Sequence, residues 1–148
     1  MQFPSGRILA LDLGQRRIGL AISDQLGITA QGLETLVRTN MREDLHRLAS
    51  LASEREITLL LMGYPLRLSG QPGKQAVKTK EFGARLATHT GLPIEYWDER
   101  FTSVEANRVL RESGISIEKR ARAVDRLSAV ILLESYLDWR ALAGEETP

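Results

Sequence analysis

Acidic side chains follow two apolar runs of the sequence and recur once near its end. Asp12 directly follows the first apolar run. Asp98 and Glu99 follow a later run, and Asp125 lies within a helical pattern in the last third of the chain. Converging carboxylates repel one another, and a divalent cation relieves that repulsion. Two such ions about 3.5–4 Å apart activate a water and stabilise a leaving oxygen, so phosphodiester hydrolysis is the chemistry that suits this set.

Composition narrows the choice of cation. The chain has no cysteine and only two histidines, His46 and His89, so thiolate sites are excluded and a histidine-rich zinc site is disfavoured. His46 is interpreted as a helix-surface residue. Carboxylate oxygens are hard ligands that favour Mg²⁺ or Mn²⁺. We therefore expect Mg²⁺ or Mn²⁺ as the cofactor, with Asp12, Asp98, Glu99 and Asp125 as the candidate ligands.

Asp12 has a second interpretation that the sequence leaves open. A carboxylate at the end of a buried strand costs several kcal/mol unless it is paired or bound to a cation. It could instead cap the following turn through its own backbone. That turn, residues 14–17, contains Gly14, which as a glycine is free to take a positive φ. Asp24, after the second apolar run, is interpreted as a turn cap.

Basic residues lie beside each acidic candidate. Their recurrence at all three places indicates contacts to phosphate, since arginine binds phosphate oxygens through a planar fork of donors. Taken one at a time, each is better explained as a solvated surface residue. The net charge of +1 indicates no partner by itself. The candidate nucleic-acid-binding residues are Arg16, Arg17, Arg100, Lys119, Arg120, Arg122 and Arg126.

The elements that must position these residues follow from hydrophobic periodicity. Three strands joined by short connections come first, and strands that alternate with helices follow, which predicts an α/β fold with a mixed five-stranded sheet, three strands antiparallel and the rest parallel, flanked by helices. Sites form at the carboxyl ends of parallel strands. The predicted strands are 7–13, 17–24, 27–37, 57–66 and 94–100, and the predicted helices are 41–55, 74–88, 104–113 and 116–142.

One domain is predicted, spanning residues 1–148, with a disordered tail from about residue 143 to 148. Asn40 is expected to cap the helix that starts at Met41, with Glu43 as the partner of a capping box. No apolar run approaches the roughly 20 residues of a membrane span, and the N-terminus lacks the apolar segment of a signal peptide. A cytoplasmic protein with no membrane partner is expected.

Several of these segments, in this order and spacing, resemble the YqgF family, also called RuvX. Together the segments cover the chain from about Arg7 to Leu137. The family usually has leucine where Tyr64 stands and alanine where Ser128 stands, and neither departure touches an acid. The matching segments include Leu11-Asp12-Leu13-Gly14, Arg16-Arg17-Ile18-Gly19, Gly63-Tyr64-Pro65-Leu66, Trp97-Asp98-Glu99-Arg100-Phe101-Thr102-Ser103 and Val124-Asp125-Arg126-Leu127-Ser128-Ala129.

The resemblance implies an RNase H-like fold and a metal-dependent nuclease that acts on structured nucleic acid. The family is associated with maturation of the 5′ end of 16S rRNA and, for some members, with Holliday junction cleavage. Its acidic site maps to Asp12, to the Asp98–Glu99 pair and to Asp125. Glu99 is favoured over Asp98 because its side chain is longer. The implied partners are pre-16S rRNA or a four-way DNA junction, and ribosomal particles; a monomer and a homodimer both stay open.

Two other functions are compatible with parts of the sequence. An Asp-x-Gly hairpin followed by a glycine also occurs in ATPases related to actin and sugar kinases, but those enzymes close two such domains over a nucleotide. A non-catalytic nucleic-acid-binding or ribosome-associated module is the other alternative. The retained acids argue against it, because unneeded buried carboxylates lower stability.

Overall fold

The computed structural model describes residues 5–65, 73–98 and 117–145, with only the helical backbone described for 117–125 and 144–145. The strands are β1 (Arg7–Leu13), β2 (Arg17–Ser23), β3 (Ala30–Gly32), β4 (Leu36–Val37), β5 (Ile57–Tyr64) and β6 (Ile94–Asp98). The helices are α1 (Met41–Glu54), α2 (Lys74–Thr90) and α3 (Ile117–Glu145). The predicted helix 104–113 lies outside the described residues.

The strands form one mixed sheet in the order β3-β2-β1-β5-β6, with β4 also paired to β2. β1 is antiparallel to β2 and parallel to β5, and β5 is parallel to β6. The predicted mixed α/β sheet is therefore confirmed. The predicted third strand is instead two short strands, β3 and β4, which both pair with β2 in antiparallel fashion.

Successive side chains of the central strands pack on opposite faces of the sheet, as strand alternation requires. One set contacts α1 and α2, and we call this side the α1–α2 face; the other contacts α3, and we call it the α3 face. Both faces are covered, which explains why β1 and β5 read as continuous apolar runs. The α1–α2 face of β1 consists of Leu9, Leu11 and Leu13, and its α3 face includes Ile8 and Ala10.

The ends of the helices follow local sequence signals. Asn40 Oδ1 accepts a hydrogen bond from Glu43 N at 2.9 Å, which confirms the predicted cap of α1. α2 ends at Gly91, which takes φ +74° in the left-handed region that favours glycine. Among the described helices, none is long and apolar enough to cross a membrane.

The end of the chain differs from the sequence prediction. The backbone of α3 continues to Glu145, so the predicted disorder is wrong for residues 143–145. The rest of the predicted tail, 146–148, lies outside the described residues. Helical hydrogen bonding propagates at little cost once a helix is formed, which explains how three polar or small residues extend it.

Candidate functional site

Asp12 is the next-to-last residue of β1, a strand in the middle of the sheet. It lies opposite Gly19 of β2 and is partly buried. Alternation along β1 puts it on the α3 face, with Ile8 and Ala10. Asp12 is therefore held by a strand with hydrogen-bonded neighbours on both sides, β2 and β5. A side chain on such a strand is positioned more rigidly than one on a loop.

The turn after Asp12 is closed by a hydrogen bond from Gly14 N to Arg17 O at 2.9 Å. Gly14 does not use the positive φ that glycine is free to take, since its φ lies outside that region. Glycine is needed there for a different reason. A Cβ on Gly14 would lie 2.6 Å from Arg17 O, a contact that real Cβ atoms essentially never make. The sequence identified the correct residue, but backbone proximity explains it.

Asp98 ends β6 and lies opposite Tyr64 of β5. Ile94 and Tyr96, which have the same alternation as Asp98, pack on the α1–α2 face, whereas Trp97 packs on the α3 face. The side chain of Asp98 is exposed and belongs to the face opposite to that of Asp12. β5 also separates the two strands, which places their axes roughly 10 Å apart. The structure therefore does not bring Asp12 and Asp98 together.

The side chains of the other two predicted acids lie outside the described part of the structure. Glu99 lies outside the described residues, and for Asp125 the helical backbone alone is described. Within residues 5–65, 73–98 and 126–143, no three histidine, aspartate or glutamate side chains converge as metal ligands would. The described part of the chain thus contributes one candidate ligand on the α3 face, Asp12.

The predicted phosphate contacts have different surroundings. Arg16 is exposed in the turn after Asp12, and Arg17 begins β2, where it pairs with Val37. Arg126 is also exposed, but its Nε donates to Leu33 O at 3.0 Å, which ties α3 to the segment after β3. The side chains outside the described part are those of Arg100, Lys119, Arg120 and Arg122.

Asp24 is a turn cap, as predicted. Its Oδ1 accepts hydrogen bonds from Ile28 N at 2.7 Å and from Thr29 N at 3.1 Å. These backbone donors, that of Ile28 first, hold the pKa of the Asp24 carboxyl below its ordinary value. Because these bonds serve a loop at the amino end of β1, Asp24 is not part of the site at the carboxyl end of that strand.

Sequence reasoning missed a buried ion pair beside the turn. Asp44 of α1 is fully buried, and its Oδ2 lies 3.3 Å from Arg38 Nε. A cleft of about 640 Å³ opens next to Arg38 on the α1–α2 face, and Phe82 and Lys78 of α2 are among its lining residues. The sequence did contain a signal for this pair. Asp44 lies four residues before Leu48, so it falls on the apolar stripe of α1, where a buried carboxylate needs a partner.

An aromatic cluster covers the β6 edge of the α3 face. The rings of Trp97, Tyr136 and Trp139 lie with centroids 5.3–5.8 Å apart. The Tyr136 hydroxyl donates to Glu95 Oε2, and Trp97 Nε1 donates to Ser135 Oγ at 3.1 Å. Burial, and then the hydrogen bond to Glu95, raise the pKa of Tyr136 well above its ordinary value. The cluster fastens α3 to β6.

The amino-acid sequence is similar to those of known proteins over most of its length. A family model described as RuvX, Holliday junction resolvase, matches residues 6–139. The chain belongs to the RuvX family. A relative from Koribacter versatilis, named "Putative pre-16S rRNA nuclease", is 59% identical over 141 residues, which are 95% of this chain and 92% of that protein. A relative of the same name from Syntrophus aciditrophicus is 44% identical over 142 residues, 96% of this chain and 93% of that protein.

The fold is also shared with a solved structure. RuvC of Thermus thermophilus, determined in complex with a Holliday junction substrate, matches with a TM-score of 0.58 at 12% identity, covering 92% of this chain and 96% of that chain. At this identity the likeness shows a shared fold, and the predicted RNase H-like sheet is confirmed. RuvX membership confirms the predicted enzyme class, a nuclease that hydrolyses phosphodiester bonds.

Proposed function

We propose that this RuvX protein is a divalent-metal-dependent endonuclease that cleaves structured nucleic acid in maturation of the 5′ end of pre-16S rRNA. The observation that carries the proposal is Asp12, a partly buried carboxylate at the carboxyl end of a central strand, on the face covered by α3. The names of the two relatives support the choice of RNA substrate. Ribosomal particles in the cytoplasm are the proposed setting.

Asp12, Glu99 and Asp125 are the proposed metal ligands. Asp12 fits a hard cation, since it offers carboxylate oxygen at the end of a buried strand, where an ion offsets the cost of burying charge. Asp125 precedes Ala129, which packs on the α3 face, by one helical turn. Bound Mg²⁺ or Mn²⁺ supplies Lewis acidity and an acidified water. Asp12 fixes where that charge lies relative to the sheet.

Glu99 is preferred over Asp98 on the basis of strand alternation. Asp98 belongs to the α1–α2 face, with Ile94 and Tyr96. Asp12 lies on the α3 face, so Asp98 is the less suitable co-ligand of the two adjacent acids. Glu99 lies outside the described residues and is proposed because its neighbour faces away and because its own side chain is longer.

Basic residues around this edge are the proposed phosphate contacts. Arg16 is exposed in the turn that follows Asp12, and Arg126 is exposed at the start of the described side chains of α3. Their guanidinium groups would hold the negatively charged backbone on either side of the cleaved bond and fix the register of the substrate. Arg17, Arg100, Lys119, Arg120 and Arg122 complete the proposed set.

Cleavage assays on two substrates test the proposal. The purified protein is incubated with an RNA that carries the 5′ leader of 16S rRNA and, separately, with a four-way DNA junction, each with Mg²⁺, with Mn²⁺ and with EDTA. We expect endonucleolytic cuts in the leader RNA that require the metal. Cleavage that is undiminished in EDTA would contradict metal dependence, and binding of both substrates without turnover would favour a non-catalytic module.

A matched pair of variants tests the ligand assignment. Glu99→Gln is expected to lower the cleavage rate by more than about 100-fold, since loss of an outer partner of a metal site alone costs 10–100-fold. Asp98→Asn changes the neighbouring carboxylate, which belongs to the face opposite to that of Asp12, and is expected to retain most activity. The reverse order of the two variants would assign the ligand to Asp98.

Holliday junction resolution is the second candidate function. The description of the matched family model favours it, as does the shared fold with a RuvC solved on a junction. A resolvase makes two symmetric cuts, which requires a homodimer with one site facing each strand. Paired cuts in the four-way junction, by a protein that sediments as a dimer, would select this function over action on the leader RNA by a monomer.

A further inference from the structure

Arg38 connects three parts of the chain through one guanidinium group. Its Nη1 donates to Gly14 O at 2.8 Å, across a separation of 24 residues. Its Nε donates to Asp44 Oδ2 at 3.3 Å, and its guanidinium carbon lies over the ring of Phe82 with 5.4 Å to the centroid. The turn after Asp12 is thus fastened to α1 and α2 by a single side chain.

The Asp44 carboxylate accepts a hydrogen bond from the Arg38 guanidinium and fixes its position. This carboxylate is fully buried and also accepts Thr39 N at 3.0 Å and Thr39 Oγ1 at 3.4 Å. These bonds fix the carboxylate at the start of α1, where a negative charge is favoured by the helix dipole. A planar guanidinium offers donors in two directions at fixed angles, so anchoring one side at Asp44 aims the other at Gly14.

The backbone adds a second tie at the same place. Arg38 N donates to Arg16 O at 2.8 Å, which continues the pairing of β4 with β2 into the turn. The turn 14–17 therefore receives two hydrogen bonds from one residue outside it. Asp12 lies two residues before Gly14, which directly follows the last residue of β1, so a shift of the Gly14 carbonyl is transmitted through the end of β1 to the carboxylate.

We infer that Arg38, held by Asp44, is a positioning residue for Asp12 in the nuclease reaction. Arg38 acts from the α1–α2 face of the sheet, while Asp12 faces α3, so Arg38 orients the strand end and does not contact the substrate site. The inference rests on the proposed function, because it assigns Arg38 a role through a catalytic Asp12. It accounts for an aspartate on the apolar stripe of α1 that packing alone does not require.

Arg47 provides a matched control. It also donates to a backbone carbonyl, Arg47 Nη1 to Val37 O at 3.1 Å, and it also joins α1 to β4. It differs in that its acceptor lies outside the turn that follows Asp12. A role in holding α1 to the sheet is shared by both arginines, whereas the role in positioning Asp12 is assigned to Arg38.

The test compares Arg38→Met/Asp44→Asn with Arg47→Met. The double variant removes both charges together, and the asparagine side chain keeps an oxygen for Thr39 N. On the leader RNA with saturating Mg²⁺, we expect kcat of the double variant to fall about 10-fold with KM unchanged, as for loss of an outer partner of a metal site. We expect Arg47→Met to keep the wild-type kcat. Mn²⁺ binding without substrate, measured by calorimetry, is expected to weaken in the double variant only.

A third variant, Arg38→Lys, keeps the positive charge but lacks the planar guanidinium that donates to Asp44 and Gly14 together. It replaces the double variant in the test if the double variant does not fold. Amide hydrogen exchange of residues 14–17 is expected to rise in both Arg38 variants and not in Arg47→Met. Wild-type kcat and Mn²⁺ affinity in a folded Arg38 variant would overturn the inference. Failure of the proposed function is a different result: the wild type does not cleave, or Asp12→Asn cleaves as the wild type does. In that case unchanged exchange at residues 14–17 still overturns the role of Arg38 in fixing the turn.

Discussion

The two loops that flank β2 are held in different ways. The loop 24–29 is closed mainly by Asp24, whose Oδ1 accepts hydrogen bonds from Ile28 N and Thr29 N and whose O accepts one from Gly27 N at 3.1 Å. One backbone bond reaches it from outside, from Gly6 N to Gln25 O at 3.1 Å. The turn 14–17 is closed by the bond from Gly14 N to Arg17 O, and the carbonyls of Gly14 and Arg16 accept hydrogen bonds from Arg38. The side chain that holds the loop 24–29 thus belongs to the loop, whereas the side chain that holds the turn beside Asp12 comes from a distant part of the chain.

The loop that lies beside Asp12 is the one whose geometry depends on α1. The hydrogen bonds of Asp24 in the other loop are local and involve no helix. The turn beside Asp12 is tied to α1 through Arg38 and Asp44, so its geometry depends on how α1 packs on the sheet. A site that needs tight placement of a carboxylate benefits from such external support. The following predictions compare the two loops, from the largest expected effect to the smallest.

Loss of Arg38 is expected to have the largest effect on stability. Arg38→Met leaves the buried Asp44 carboxylate without its cationic partner, and breaking a buried pair in this way costs about 3–5 kcal/mol. Urea unfolding followed by circular dichroism measures the loss. Arg38→Met/Asp44→Asn, which removes both charges, is expected to recover part of it. A loss below about 1 kcal/mol, the range of exposed pairs, would contradict the structural importance of this ion pair.

Gly14→Ala is expected to cost about 2 kcal/mol, as overpacking does in a tightly packed region. The added Cβ would lie 2.6 Å from Arg17 O, so the hairpin must open or shift. Thermal unfolding measures this change, and loss of the Gly14 N to Arg17 O bond is visible as faster exchange of that amide. An unchanged unfolding midpoint would show that the turn relaxes freely and is not held as described.

Gly27→Ala, in the self-capped loop, is expected to cost less, about 1 kcal/mol, because only the backbone strain of the left-handed region opposes it. Gly27 takes φ +69°, and the nearest atom to an added Cβ is Leu137 Cδ2 at 3.8 Å, an ordinary contact. Thermal unfolding again measures the change. Gly27→Asn is the control, because asparagine tolerates this conformation better than alanine does. A larger loss than that of Gly14→Ala would reverse the comparison between the two loops.

Asp24→Ala is expected to have the smallest effect, and the effect depends on pH. The lowered pKa of Asp24 means that its contribution to stability is present above the ordinary value of 3.8 and is lost as the pH falls through the lowered pKa. The difference in unfolding free energy between wild type and variant should therefore shrink in acid. Asp24→Asn keeps the oxygen acceptor and should show little pH dependence. A difference that grows in acid would contradict this assignment.

Much of the fold could be predicted from sequence because its signals are local. The bounds of β1 and the starts of α1 and α2 agree with the pattern of apolar residues, and the Asp24 cap follows from hydrogen bonds within five residues. The split of the predicted third strand into β3 and β4 was not predicted, since register on β2 decides which residues pair.

The site was predictable only in part, for the same physical reason. Asp12 was a candidate from sequence because it directly follows an apolar run, and the structure places it at the end of a central strand. Arg38 was missed because its acceptor at Gly14 is 24 residues away, and nothing local marks that contact. The face of Asp98 could not be assigned from sequence, because it depends on the packing of Tyr96 and Trp97 on opposite sides of the sheet.

The proposal that Asp12 is a metal ligand of the nuclease is tested most directly by comparing the two aspartates that flank β2. Single-turnover cleavage of the 5′ leader RNA in Mg²⁺ is measured for wild type, Asp12→Asn and Asp24→Asn, each checked for folding by circular dichroism. The account predicts that Asp12→Asn loses more than about 100-fold in rate while Asp24→Asn stays near the wild type. Equal rates for Asp12→Asn and wild type, with folding intact, would contradict it.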